Sequence, residues 1–123
     1  MSTYLIINEQ HSLFDEQREL LRGFGEVKFI NISANGITKE QMDSFEEDNY
    51  LRLDDTIIFA SPIPYLLKEL SSKLTRYPFT QLKYDVKVFH NDKRVKKELP
   101  NGKIIQTVSD VGWEILWLMK FII

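Results

Sequence analysis

Thr56-Ile57-Ile58-Phe59-Ala60-Ser61-Pro62 decides the fold. Its first five residues form the most strand-like run in the chain, and Ser61-Pro62 leads directly into an amphipathic helix read from about Pro62 to Leu74. Upstream, Tyr4 to Asn8 is a second short apolar run, of the kind expected for a parallel strand buried on both faces. Ser12 follows as the expected N-cap of a helix carrying Asp15 and Glu16 in its first turn. Leu13, Phe14, Gln17, Leu20 and Leu21 keep helical spacing until Gly23 and Gly25. Glu26 to Ile32 reads as a strand, Asn35-Gly36 as a break, and Thr38 as the cap of a polar helix through Asp48.

Downstream, a loop holding Arg76, Tyr77 and Pro78 precedes a strand from Tyr84 to His90. Lys93 to Leu99 and Lys103 to Val108 flank the tight-turn signature Pro100-Asn101-Gly102, which predicts a charged β-hairpin. Val111 to Ile123 fits either a strand or a short helix. Strand and helix alternate three times in the first 75 residues, so the expected architecture is one Rossmann-like α/β domain over residues 1–123. Its sheet is mainly parallel, flanked by helices and joined by right-handed crossovers. No repeat or linker interrupts it.

At 123 residues and 43% apolar content, one core is affordable without staples. The absence of cysteine removes disulfides, thiolate nucleophiles and sulfur-based zinc sites. The N-terminus reads as a strand and not as a signal peptide, and the longest apolar run, Ile115 to Ile123, is broken by Lys120. Cytoplasm, with no membrane partner, is therefore expected. The net charge of −2 hides an asymmetry: residues 1–55 carry 12 acidic and 5 basic side chains, and residues 56–123 carry 6 and 11. Lys87, Lys93, Arg94, Lys96, Lys97 and Lys103 crowd one stretch, a local field suited to phosphate. The same lysines also suit a soluble, aggregation-resistant edge. Genomic DNA is not an expected partner.

Ligands in open α/β sheets gather beyond the C-terminal ends of the strands. That rim receives Asn8, Glu9, Gln10, His11 and Ser12 from the first strand, Ser61 from the third, and His90, Asn91, Asp92, Lys93 and Arg94 from the fourth. Ser61 is either an ordinary helix cap or a hydroxyl offered to an anion at a helix start. Arg94 has a planar fork for phosphate, or a salt bridge to Glu98. His11 and His90, with Glu9 and Asp92, show no dense ligand motif, so no metal is assigned. There is no glycine-rich phosphate loop, hence no conventional NAD or ATP site and no expected cofactor. Ser61 lacks a nucleophile elbow, and Asn8-Glu9 with Ser61 stand where a phospho-receiver needs acids. Trp113, Trp117 and Phe121, four residues apart, suit a core or dimer contact, or base stacking.

The layout resembles the small CRISPR-associated proteins of type III systems that adopt a CARF-like Rossmann fold and bind or degrade cyclic oligoadenylate. The resemblance rests on Leu5-Ile6-Ile7-Asn8 with its polar turn and helix, on Ile57-Ile58-Phe59-Ala60-Ser61, and on Val88-Phe89-His90-Asn91-Asp92-Lys93-Arg94 before the hairpin. A glycine-rich turn after Ala60 is lacking. The resemblance implies a twofold homodimer holding the ring across paired rims, with Ile115 to Ile123 in the interface. It also implies metal-free cleavage by a ribose 2′-hydroxyl. His11, His90 and Arg94 would be the catalytic set, His11 or His90 moving the proton. Arg94 and Lys93 would neutralise phosphate, Ser61 would contact a phosphate oxygen, and Asn8, Ser12, Asn91 and Asp92 would complete the binding set. A noncatalytic nucleotide sensor or sponge, and a structural or inhibitory protein-interaction module, are the alternative readings.

Overall fold

A computed structural model describes residues 1–75 and 80–118. It shows a five-stranded, mostly parallel sheet flanked by helices, with a separate two-stranded antiparallel hairpin. In chain order the elements are β1 (Thr3–Asn8), α1 (Asp15–Arg22), β2 (Val27–Ile32), α2 (Lys39–Asp43), α3 (Phe45–Asp48), β3 (Thr56–Phe59) and α4 (Pro64–Ser71). Then come β4 (Asp85–His90), β5 (Arg94–Glu98), β6 (Ile104–Val108) and β7 (Glu114–Trp117). The sheet order is β2-β1-β3-β4-β7; all neighbours are parallel except β7, which runs antiparallel to β4.

The two continuous apolar runs occupy the centre, as their lack of alternation requires. Leu5, Ile6, Ile57 and Ile58 are 0% exposed. Successive side chains pass to opposite faces. Ile6, Ile57, Phe59 and Val86 meet Phe45, Leu66 and Leu70 from α3 and α4, whereas Leu5, Ile7 and Ile58 meet Leu13 and Leu21 on the α1 side.

Several boundaries differ from those expected, each for a local reason. The helix after β1 begins at Asp15, not behind Ser12. Asn8 builds a turn, its Oδ1 accepting the Gln10 N–H and its carbonyl the His11 N–H, both at 2.9 Å, and the chain needs residues 9–14 to leave it. Gln17 Oε1, reaching back to the Phe14 N–H, closes the helix start in place of a serine cap. Thr38 does cap a helix, in a reciprocal pair with Gln41. The expected single helix to Asp48 is nevertheless two, because the Ser44 hydroxyl bonds the Glu40 carbonyl and the Asp48 carboxylate at the break.

The ambiguous C-terminal segment is a strand at the sheet edge as far as Trp117. The two tryptophans therefore separate: Trp113 precedes β7 and packs on Phe14 and Phe89, while Trp117 lies across from Lys87. Phe121 and the end of the proposed Ile115–Ile123 interface lie outside the described residues, as do Arg76, Tyr77 and Pro78. Lys87 does not belong to the surface cluster: it is buried, 3.2 Å from Asp85 and 4.1 Å above the Trp117 ring. Among the described residues no helix is long and apolar enough to cross a membrane.

Candidate functional site

The order β2-β1-β3-β4 reverses direction between β1 and β3, and their C-terminal ends open the crevice where such sheets hold ligands. A cavity of about 340 Å³ lies there, walled by Ile7, His11, Leu13, Phe14, Ala60, Val108 and Trp113, with Gln10, Ser12 and Gln17 adding polar edges.

His11 and Ser61, 50 residues apart in sequence, meet at the cavity. His11 Nδ1 lies 2.7 Å from Ser61 Oγ, and the same oxygen accepts the Asn8 backbone N–H at 2.9 Å. The Asn8 turn folds His11 back over the end of β3, so Asn8 acts by shaping the backbone. Ser61 is 3% exposed and its side chain points inward. The neighbouring helix starts at Pro64, so Ser61 neither caps it nor offers its hydroxyl to solvent. Its role here is to orient the imidazole. With one lone pair engaged by Asn8, the hydroxyl donates to Nδ1 or accepts from it, so either neutral tautomer of His11 is accommodated.

Phe14 and Trp113 supply the aromatic wall, with ring centroids 5.8 Å apart and planes tilted by 30°. Glu16 fixes the Trp113 loop: one carboxylate oxygen accepts the Gly112 and Trp113 N–H groups at 2.8 and 2.6 Å. The indole Nε1 is buried and has no hydrogen-bond partner among the described residues.

The second group of predicted residues forms the hairpin base. Asn91, 6% exposed, donates both amide hydrogens, to the Ser109 and Val111 carbonyls, and accepts the Lys93 N–H. It fastens the two ends of the hairpin together, so its influence on a ligand is indirect. Arg94 makes no pair with Glu98 here; Nη1 donates to the Asn91 and Lys93 carbonyls at 2.7 and 3.0 Å. Among the described residues the other guanidinium nitrogens make no hydrogen bond, and the Arg94 position lies opposite Val108, which lines the cavity. Lys93 and Asp92 are exposed beside it, and the aliphatic stem of Lys93 covers Gly112. His90 is exposed at the end of β4, opposite Glu114, and its side chain makes no hydrogen bond among the described residues. The hydrogen-bonded network thus joins Asn8, His11 and Ser61 and does not reach His90.

Two contributors were not legible. Phe14 looked like one more helical apolar residue, and Glu16 like an acid placed for the helix dipole; its partners lie 96 and 97 residues away. Burial pushes Tyr84 well above the ordinary phenol range, reinforced by its hydrogen bond to Glu46. Burial would raise Glu46 too, but hydrogen bonds from Tyr84, Lys83 and Lys73 outweigh it and hold the carboxyl below its usual value. Among the described residues no group of three His, Asp or Glu side chains is arranged to hold a metal. No family model matches the chain, and no curated protein or solved structure shows a match to it.

Proposed function

We propose that the chain is a Rossmann-like domain of CARF-like type that binds cyclic oligoadenylate at the β1–β3 crevice and cleaves it without a metal. The observation that carries this reading is the contact of Ser61 with His11, which together with Phe14 and Trp113 walls the cavity. An aromatic wall suits a nucleobase, because every base has a face to stack. A neutral imidazole held by one nitrogen presents the other to the ribose.

In the proposed reaction the 2′ oxygen attacks the adjacent phosphorus and forms a 2′,3′-cyclic phosphate. The P–O5′ bond breaks, His11 Nε2 takes the 2′ proton, and the departing 5′ oxygen takes a proton from water. Ser61 accepts from Nδ1–H, keeping the imidazole oriented as it gains charge. Arg94 and Lys93 neutralise the phosphate. The cavity holds about one nucleoside, so a ring needs a second protomer. Leu116, Trp117 and Leu118, each more than a third exposed on the edge strand and just beyond it, are consistent with a twofold contact.

Purified protein incubated with cyclic oligoadenylates, with and without EDTA, and resolved by chromatography, tests this. Linear products ending in 2′,3′-cyclic phosphate are expected in both conditions. His11→Ala should lower turnover by about 10²–10⁴-fold, the range for a general base, with binding retained. Binding without turnover would make the protein a sensor or sponge, and the absence of both would overturn the nucleotide reading.

A further inference from the structure

The hairpin is fully solvated along β5, yet its two faces are not equivalent. The ladder pairs Arg94 with Val108, Lys96 with Gln106 and Glu98 with Ile104; between them come Val95 with Thr107 and Lys97 with Ile105. Opposed residues share a face, and successive residues alternate. One face therefore carries Arg94, Lys96 and Glu98, and the other carries Val95 and Lys97. Val108 belongs to the first face and also lines the β1–β3 cavity. That face continues from the cavity wall: first Arg94, then Lys96 about 6.6 Å further out, two strand residues on, then the negative Glu98.

We propose that this face is a track for the sugar-phosphate backbone of a single-stranded, RNA-like ligand whose first nucleoside occupies the cavity. Lys96 is a binding residue, and Lys97, next to it in sequence, is not. This rests on the nucleotide reading: the strand on the track is the linear product of ring opening, and the track gives it a direction and a length. Two cations in line meet two successive phosphates, and Glu98 ends the attraction by repelling a third. Charge complementarity identifies the occupant: the face offers exposed cations and a Gln106 amide beside a base-sized aromatic cavity, the combination that single strands use.

The test titrates AMP and linear oligoadenylates of two, three, four and six nucleotides, read by fluorescence at matched ionic strength, with wild type, Lys96→Ala and Lys97→Ala. Affinity should rise up to three nucleotides and then level off. Lys96→Ala should weaken the trinucleotide by about tenfold, the scale of one hydrogen bond to a charged group. It should also flatten the slope of log affinity against log salt by about 0.7, one phosphate contact. Lys97→Ala should leave both unchanged, and neither variant should alter AMP binding. Both side chains are exposed, so thermal melts should be unmoved. Equal losses for the two variants, or no length dependence while AMP still binds, would remove the track and leave the cavity reading standing. Failure of AMP and every oligomer to bind would remove both. Polyglutamate binding as tightly as the trinucleotide, with the same Lys96 dependence, would overturn the assignment to nucleic acid.

Discussion

The central sheet and the hairpin are both built from short strands, but they are held by different forces. In β1 and β3 the side chains are removed from water on both faces, and apolar burial dominates the stability. In β5 and β6 nearly every side chain remains wet, with Ile104 67% exposed, and an isolated two-stranded ribbon is marginal in water. What keeps the hairpin in place is its base. Asn91 ties the Ser109 and Val111 carbonyls to the end of β4, and Glu16 ties Gly112 and Trp113 to α1. The ribbon is thus a polar arm anchored by side chains, and one of the residues they hold, Trp113, is a wall of the candidate site.

The contrast breaks most visibly in the core. Ile58→Ala should cost about 2–5 kcal/mol, the range for emptying a closely packed site, whereas Ile104→Ala should stay within about 0.5 kcal/mol as a surface change. Urea melts of the two variants decide it, and comparable losses would mean that the hairpin is part of the core.

Smaller effects are expected at the anchors. Glu16→Ala leaves two N–H groups without their carboxylate and should cost about 1–3 kcal/mol. Faster hydrogen exchange should appear over residues 93–113 while β1 and β3 stay protected. Exchange that rises uniformly would show that the arm does not open by itself. Gly112 has φ +92°, and an added Cβ there would come 2.8 Å from Lys93 Cδ; Gly102 in the hairpin turn has φ +82° and open space. Gly112→Ala should cost about 1–3 kcal/mol and Gly102→Ala close to 1. Lys93→Ala should recover part of the first loss and none of the second.

The smallest difference is one of pH. Glu46 joins α3 to Tyr84 and Lys83 at the sheet, and among the described residues no such cluster supports the hairpin. Because the Glu46 carboxyl is held below its ordinary value, its contribution is present above about pH 4.5 and is lost as pH falls through the lowered value. Because Tyr84 is raised, its contribution is present below pH 10 and fades as pH rises beyond it, when the unfolded phenol ionises first. Glu46→Gln should flatten the acid limb of a stability–pH curve and Tyr84→Phe the alkaline limb. Limbs unchanged by these substitutions would assign the pH dependence to other groups.

Much of this was written locally. The runs at Tyr4–Asn8 and Thr56–Ala60 specify central strands because few other settings suit the unbroken apolar stretches Tyr4–Ile7 and Ile57–Ala60 within them. Pro100-Asn101-Gly102 specifies a turn because its backbone requirements are met within those three residues. The rim holding Asn8, His11, Ser61 and Arg94 was legible too, since the ends of parallel strands can be placed from strand order alone.

The tertiary structure decided what depends on distant partners. It turned Ser61 inward to hold His11, because the Asn8 N–H of a neighbouring strand needed an acceptor. It made 114–117 an edge strand where the sequence allowed a helix, because β4 offered an open ladder. It buried Lys87 by setting Trp117 across from it. It joined Glu16 to Gly112 and Trp113, a contact with no local trace. What can be satisfied within a few residues is written in the sequence, whereas a hydrogen bond or ring contact between segments distant in the chain exists only once the sheet has brought them together.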